Sequence, residues 1–200
     1  MQGISKSLRQ TMTPKDFSPL HEAAIQRQRV VAGMGDITRL RIDCIVCPSN
    51  SQGIMKGGVA NTIRLEGGDE IEQEAVSLAP VAIGRAVSTA PGSLPCQHVL
   101  HAPTMKNPVE QSSRKTILRA TKAALKRADR LNHYSIGFPG MGTGTGGVSY
   151  LTAAQQMIDA IAGFSKEANS LRLVVLVARS EPLASAWVSV LQEKEEFRSM

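Results

Sequence analysis

From Arg29 onward the chain alternates short apolar runs with stretches of helical period. Residues 30–32, 42–47, 85–89, 98–102, 134–138 and 171–178 have strand length, the second of them ended by Pro48. Residues 58–65, 70–78, 110–131, 149–164 and 182–195 read as helices. A strand buried on both faces reads as a continuous apolar run, and helices must then cover both faces. The alternation predicts an α/β fold, a mixed sheet between helices, with any ligand beyond the carboxyl ends of its strands.

Two hundred residues suffice for one domain with a sizeable core. The first 28 read as a separate arm, partly helical or flexible. They hold Pro14 and Pro19 and little apolar periodicity beyond a short helix around residues 21–28. The domain then spans 29–200. Three cysteines are too few for a disulfide scaffold, no apolar run approaches a membrane span, and the first residues lack a secretory pattern. A cytoplasmic setting and no membrane partner are the expectation. The net charge of +6 permits an anionic partner without naming it. Eight Lys and Arg face two acids over residues 106–130, with Lys115, Arg119, Lys122 and Lys126 in one helical stripe. That stripe reads as a solvated face in preference to a nucleic-acid site, which usually adds stacking aromatics.

Two glycine-rich loops follow strands and open helices. The later one runs Pro139-Gly140-Met141-Gly142-Thr143-Gly144-Thr145-Gly146-Gly147. Such a loop takes positive φ, expected at Gly144 and Gly146, and presents backbone N–H groups to an anion at the start of the helix after Ser149. No Lys or Arg lies between Arg130 and Lys166, so amides and the helix dipole must meet the charge, with Lys56 as a rim cation. The spacing spells G-x-G-x-x-G, but the ribose-binding acid of a dinucleotide fold is not at its distance, and no Gly-Lys-Ser/Thr follows for a P-loop. In the earlier loop, Gly57-Gly58 lets backbone approach a ligand and Val59-Ala60 starts a helix. Asn50, at the strand exit, either meets a ribose hydroxyl or orders the loop. Asp36, in Gly35-Asp36-Ile37-Thr38, either accepts from an exocyclic amine or caps a turn with Thr38.

These segments, GDIT, DCIVCPSNSQGIMKGGVANTI, HVLHAPT and IGFPGMGTGTGGVS, resemble a macro domain in order and spacing over about residues 29–195. The resemblance implies a three-layer α/β/α sandwich whose cleft holds ADP-ribose, free or on a protein. It implies Asp36 at the adenine amine with Gly35 and Ile37 beside it, Asn50 and residues 57–60 at the distal ribose, and Pro139 and residues 142–147 around the diphosphate.

The departures bear on catalysis. The family's N-A-A-N reads Cys47-Pro48-Ser49-Asn50, and the acid, His and His of its enzymatic branches read Ala60, Arg64 and Met55. Asn50 alone remains as a catalytic candidate, and a binding module is preferred. The alternatives are a hydrolase acting on ester-linked ADP-ribose, O-acetyl-ADP-ribose or ADP-ribose-1''-phosphate, and a poly-A binder. His98 and His101 fall on opposite strand faces, as do Cys44 and Cys47, so neither pair converges on a ligand or metal. No cofactor and no metal are expected.

Overall fold

The computed structural model describes residues 16–199, with side chains of 16–195. Its strands are β1 (Phe17–Ile25), β2 (Gln28–Gly35), β3 (Cys44–Asn50), β4 (Val87–Thr89), β5 (His98–Met105), β6 (Ser135–Phe138) and β7 (Leu173–Ala178). Its helices are α1 (Gly58–Gly67), α2 (Glu70–Ser77), α3 (Arg114–Arg130), α4 (Tyr150–Phe164) and α5 (Glu181–Ser199). The strands form one sheet in the order β1-β2-β7-β6-β3-β5-β4. The inner neighbours are parallel, and β1 and β4 close the edges antiparallel.

Strand alternation sorts the apolar side chains between two cores. On β7, Val174, Leu176 and Ala178 join Ile117 of α3, Met157 of α4 and Trp187 of α5. Leu173, Val175 and Val177 join Ile63 of α1 and Ile71 of α2 on the other face. The fold is the expected three-layer α/β/α sandwich. Cys44 belongs to the first core and Cys47 to the second, opposite faces as their spacing required.

β6 pairs with β3 only at Cys44↔Ile136 and Ile45↔Gly137. Beyond that, β3 leads to α1 on one face and β6 to α4 on the other. Adjacent parallel strands whose connections leave to opposite faces open a crevice at their carboxyl ends.

Three local expectations need correction. Residues 17–25 form a sheet strand, not part of an arm, and no helix occupies 21–28. Phe17, Ala23 and Ile25 are buried while Ser18, Pro19, Leu20, Glu22 and Ala24 are exposed, the sparse alternation of an edge. Pro19 is tolerated there because an edge has one unpaired side, and the register shifts between Pro19 and His21. Residues 1–15 of the expected arm lie outside the described residues. β3 also continues through Pro48 to Asn50, because β6 no longer pairs with it at Pro48. Finally, β5 extends to Met105, carried by its pairing with Asn50.

Candidate functional site

The crevice between β3 and β6 is a cleft of about 410 Å³, walled by both glycine loops. The first loop is built rigidly. Asn50, 8% exposed, receives the amides of Gln52 (3.0 Å) and Ile54 (3.3 Å) and donates Nδ2 to the Ile54 carbonyl (2.8 Å). Its side chain thus orders the loop, the second of the two roles open to it. Met55 is fully buried, and its amide donates to Glu72 of α2 at 2.7 Å. Glu72 also faces Arg64 at 3.7 Å. After this anchor, Gly57 caps α1 without a side-chain bond, and Gly58 takes φ 53°.

The second loop hangs from Met141, also fully buried. Val148 and Gly147 close it by donating to the carbonyls of Gly142 (3.1 Å) and Gly144 (3.0 Å). Positive φ falls on Gly142 (70°) and Gly147 (69°), not on Gly144 and Gly146. The turn closes at its ends, so the left-handed residues stand there. Gly146 is required for a different reason: a Cβ there would lie 2.6 Å from the Gly142 carbonyl and 2.7 Å from Ser112 Oγ. Among the described residues the amides of 143–146 donate no hydrogen bond. Gly144 and Thr145 are exposed, Thr143 is half-buried and only Gly146 is buried, so a ligand in the cleft can take these donors over from solvent.

The helix ends are distributed differently from the expectation. Ser149 caps α4, its Oγ accepting from Thr152 N at 3.3 Å. The first-turn amides of α1 have no such cap, so α1 offers the freer positive helix end to the cleft.

Of the expected site residues, Ile37, Asn50, Gly57, Gly58, Val59, Ala60, Pro139, Gly142, Thr143, Gly144, Thr145 and Gly146 line this one cleft. Gly35, Asp36 and Gly147 stand outside its lining. Asp36 Oδ1 accepts from Thr38 N (3.0 Å) and Thr38 Oγ1 (2.7 Å), and Oδ2 faces Arg179 at 3.7 Å. Sequence reasoning missed Arg179, Tyr150, Pro108 and Val109, all in the lining. Arg179 directly follows β7, and that position at a strand's carboxyl end was the available signal. The cleft therefore holds two cations, Lys56 and Arg179, where only Lys56 was expected. Ser49 also lines it, with a hydroxyl that has no partner among the described residues.

Among the described residues no Asp, Glu, His or Cys lines the cleft. His101 is buried and bonds Thr89 Oγ1 at 3.0 Å, and burial pushes its pKa down to about 4. His98 Nδ1 lies 3.0 Å from His133 Nε2. Neither histidine reaches the cleft. The basic stripe of α3 is largely engaged: Lys122 and Lys126 face Glu167 at 3.5 and 3.3 Å, and Arg119 donates to the Ile83 carbonyl at 2.7 Å. No described helix is long and apolar enough to cross a membrane.

Comparison with known proteins agrees with this geometry. The family model "Macro domain" matches residues 46–157. A protein of Aquifex aeolicus is 46% identical over 157 residues, covering 78% of this chain and 94% of the relative. One from Aeropyrum pernix is 41% identical over 154 residues, covering 76% and 80%. Among solved structures, the Oceanobacillus iheyensis macrodomain with ADP superposes with a TM-score of 0.80 at 22% identity, covering 91% of this chain and 99% of that one. The Trypanosoma brucei macrodomain in complex with ADP-ribose gives 0.73 at 23% identity, covering 81% and 68%.

Proposed function

The chain belongs to the macro domain family, and from that premise we propose that it binds ADP-ribose, free or protein-linked, in the cleft between β3 and β6. The observation that carries the reading is one cleft faced by two sets of free amides, from residues 143–146 and from the first turn of α1. Hydrogen bonds to a charged group contribute about 1.5–3 kcal/mol each. Two phosphate charges are met in this way without a metal. The Oceanobacillus macrodomain with ADP and the Trypanosoma macrodomain in complex with ADP-ribose support a nucleoside diphosphate as the core of the ligand.

In this reading the adenine lies toward Ile37, Asp36 and Arg179. Asp36 Oδ2 accepts from the exocyclic amine beside the Arg179 guanidinium, while Oδ1 stays on Thr38. The diphosphate crosses the second glycine loop. The distal ribose meets residues 57–60, whose shape Asn50 maintains. General acid–base catalysis needs a titratable group within hydrogen-bond reach; among the described residues the cleft lining holds no carboxylate or imidazole, and Asp36 stands at the adenine end, which favours binding over hydrolysis. The engaged α3 stripe likewise favours the cleft over a nucleic-acid surface.

Calorimetry with ADP-ribose, ADP and AMP tests the proposal. Saturable heat with ADP-ribose is expected, and none at millimolar ligand refutes it. Multiple turnover of acetylated ADP-ribose or ADP-ribosylated protein would overturn the preference for a binding module.

A further inference from the structure

The segment between β5 and α3 touches both glycine loops. At its start, Ser51 N donates to the carbonyls of Met105 and Lys106, each at 3.1 Å. At its end, Ser112 N donates to the Gly146 carbonyl at 2.9 Å, and Ser112 Oγ to the Thr104 carbonyl at 2.9 Å. Thr104 is the extra residue of a bulge, since Ser49 pairs with Pro103 and Asn50 with Met105. Bulges redirect chains beside binding sites. The segment therefore closes the end of the cleft where the two loops meet. Its own fold is fixed by Glu110, whose carboxylate accepts the amides of Lys106 (3.0 Å) and Asn107 (2.7 Å).

At the tip is Val109, with φ 64° and 80% exposed, lining the cleft with Pro108. A β-branched residue in the left-handed region is a genuine outlier, because its Cβ crowds the backbone. Exposure removes any packing gain in the free protein. Strain of this kind is maintained by surrounding structure and concentrates at ligand clamps. Here the surrounding structure is the pair of ties to the glycine loops.

We propose that Val109 is a specificity-determining residue of the cleft, an apolar end wall that packs on the distal sugar of the ligand and separates ADP-ribose from ADP. This rests on the ADP-ribose reading above. The strain belongs to the free protein and the contact forms only with a ligand that reaches past the diphosphate. Removing the side chain should then move stability and affinity in opposite directions.

The test measures ADP-ribose and ADP binding calorimetrically, with thermal melting, for the wild type, Val109→Gly and Val109→Asn. Glycine and asparagine both accept positive φ, so the loop keeps its shape. The expected result is an unchanged or higher Tm, ADP-ribose affinity lower by about three- to tenfold from lost apolar contact, and ADP affinity unchanged. Equal effects on both ligands, or none on either, overturn the end-wall assignment while leaving ADP-ribose binding intact. A Tm that falls in both variants overturns the strain argument. Failure of the wild type to bind either ligand refutes the underlying reading instead.

Discussion

Replacing Gly146 and replacing Gly144 should have opposite signatures, although the two residues are neighbours in one loop. An alanine methyl at 146 would sit 2.6 Å from the Gly142 carbonyl oxygen, 2.7 Å from Ser112 Oγ and 2.9 Å from Ser112 Cβ. Carbon contacts are comfortable at about 3.5–4.0 Å, so each neighbour must retreat by about 1 Å. Neither is free to do so. The Gly142 carbonyl accepts from Val148, and Ser112 is tied to Thr104 and to Gly146 itself. Overpacking of this kind costs about 1–3 kcal/mol. At about 2–4 °C per kcal/mol for a chain of this size, Gly146→Ala should melt roughly 2–12 °C below the wild type. At Gly144 a Cβ meets nothing within 4 Å, and φ is not positive. Gly144→Ala should melt within about 1 °C of the wild type or slightly above it. Gly144→Val should also stay folded yet lose ADP-ribose affinity, because its side chain occupies the volume the diphosphate needs. The assays are thermal melting and ADP-ribose calorimetry on the three variants. A Gly146→Ala protein that melts with the wild type would refute the packing argument, and a folded Gly144→Val that binds normally would refute the cradle.

Acid should weaken the fold through His101. Its folded pKa is about 4 against 6.5 when free, so the unfolded chain binds the extra proton and stability is lost as pH falls from about 6.5 to 4. The full loss is about 3 kcal/mol, with His133, lowered by burial and by His98, acting in the same direction. Urea midpoints from pH 8 to 4 should show it, and a His101→Gln variant with an unchanged slope would exclude this source. Asp129 accepts the amides of Asn169 (3.0 Å), Ser170 (2.8 Å) and Leu171 (3.0 Å). Burial opposes its charge, but these donors and the Ser170 hydroxyl hold its pKa below the ordinary value, so its contribution is present at neutral pH and lost as pH falls through the folded pKa. Asp129→Ala should cost about 2–3 kcal/mol at neutral pH, and a melting temperature within 1 °C of the wild type would contradict that. Asp36→Asn keeps an acceptor for Thr38, so it should fold normally while ADP-ribose and AMP both bind roughly tenfold less tightly. Unchanged affinity for both would remove Asp36 from the adenine end.

The layering was legible because burial on both faces leaves an unmistakable mark in one dimension. Val174, Val175, Leu176 and Val177 must all be apolar when helices cover both sides of β7. The two glycine loops were legible for a related reason: glycines directly after a core strand serve a close backbone approach. The edge strand β1 was not, because half of its side chains face water and its Pro19 resembles a linker's. Nor does sequence spacing reveal which glycines take positive φ. That depends on where the turn closes, and it closes through carbonyls at Gly142 and Gly144. The tie between Ser112 and Gly146 likewise depends on chain segments meeting in space. Arg179 follows β7, Tyr150 opens α4 and Val109 follows β5, and only the parting of β3 from β6 brings them into the lining of one cleft. Local chemistry and periodicity are properties of adjacent residues and are written along the chain, whereas the composition of a cleft is a property of which strand ends the sheet brings together.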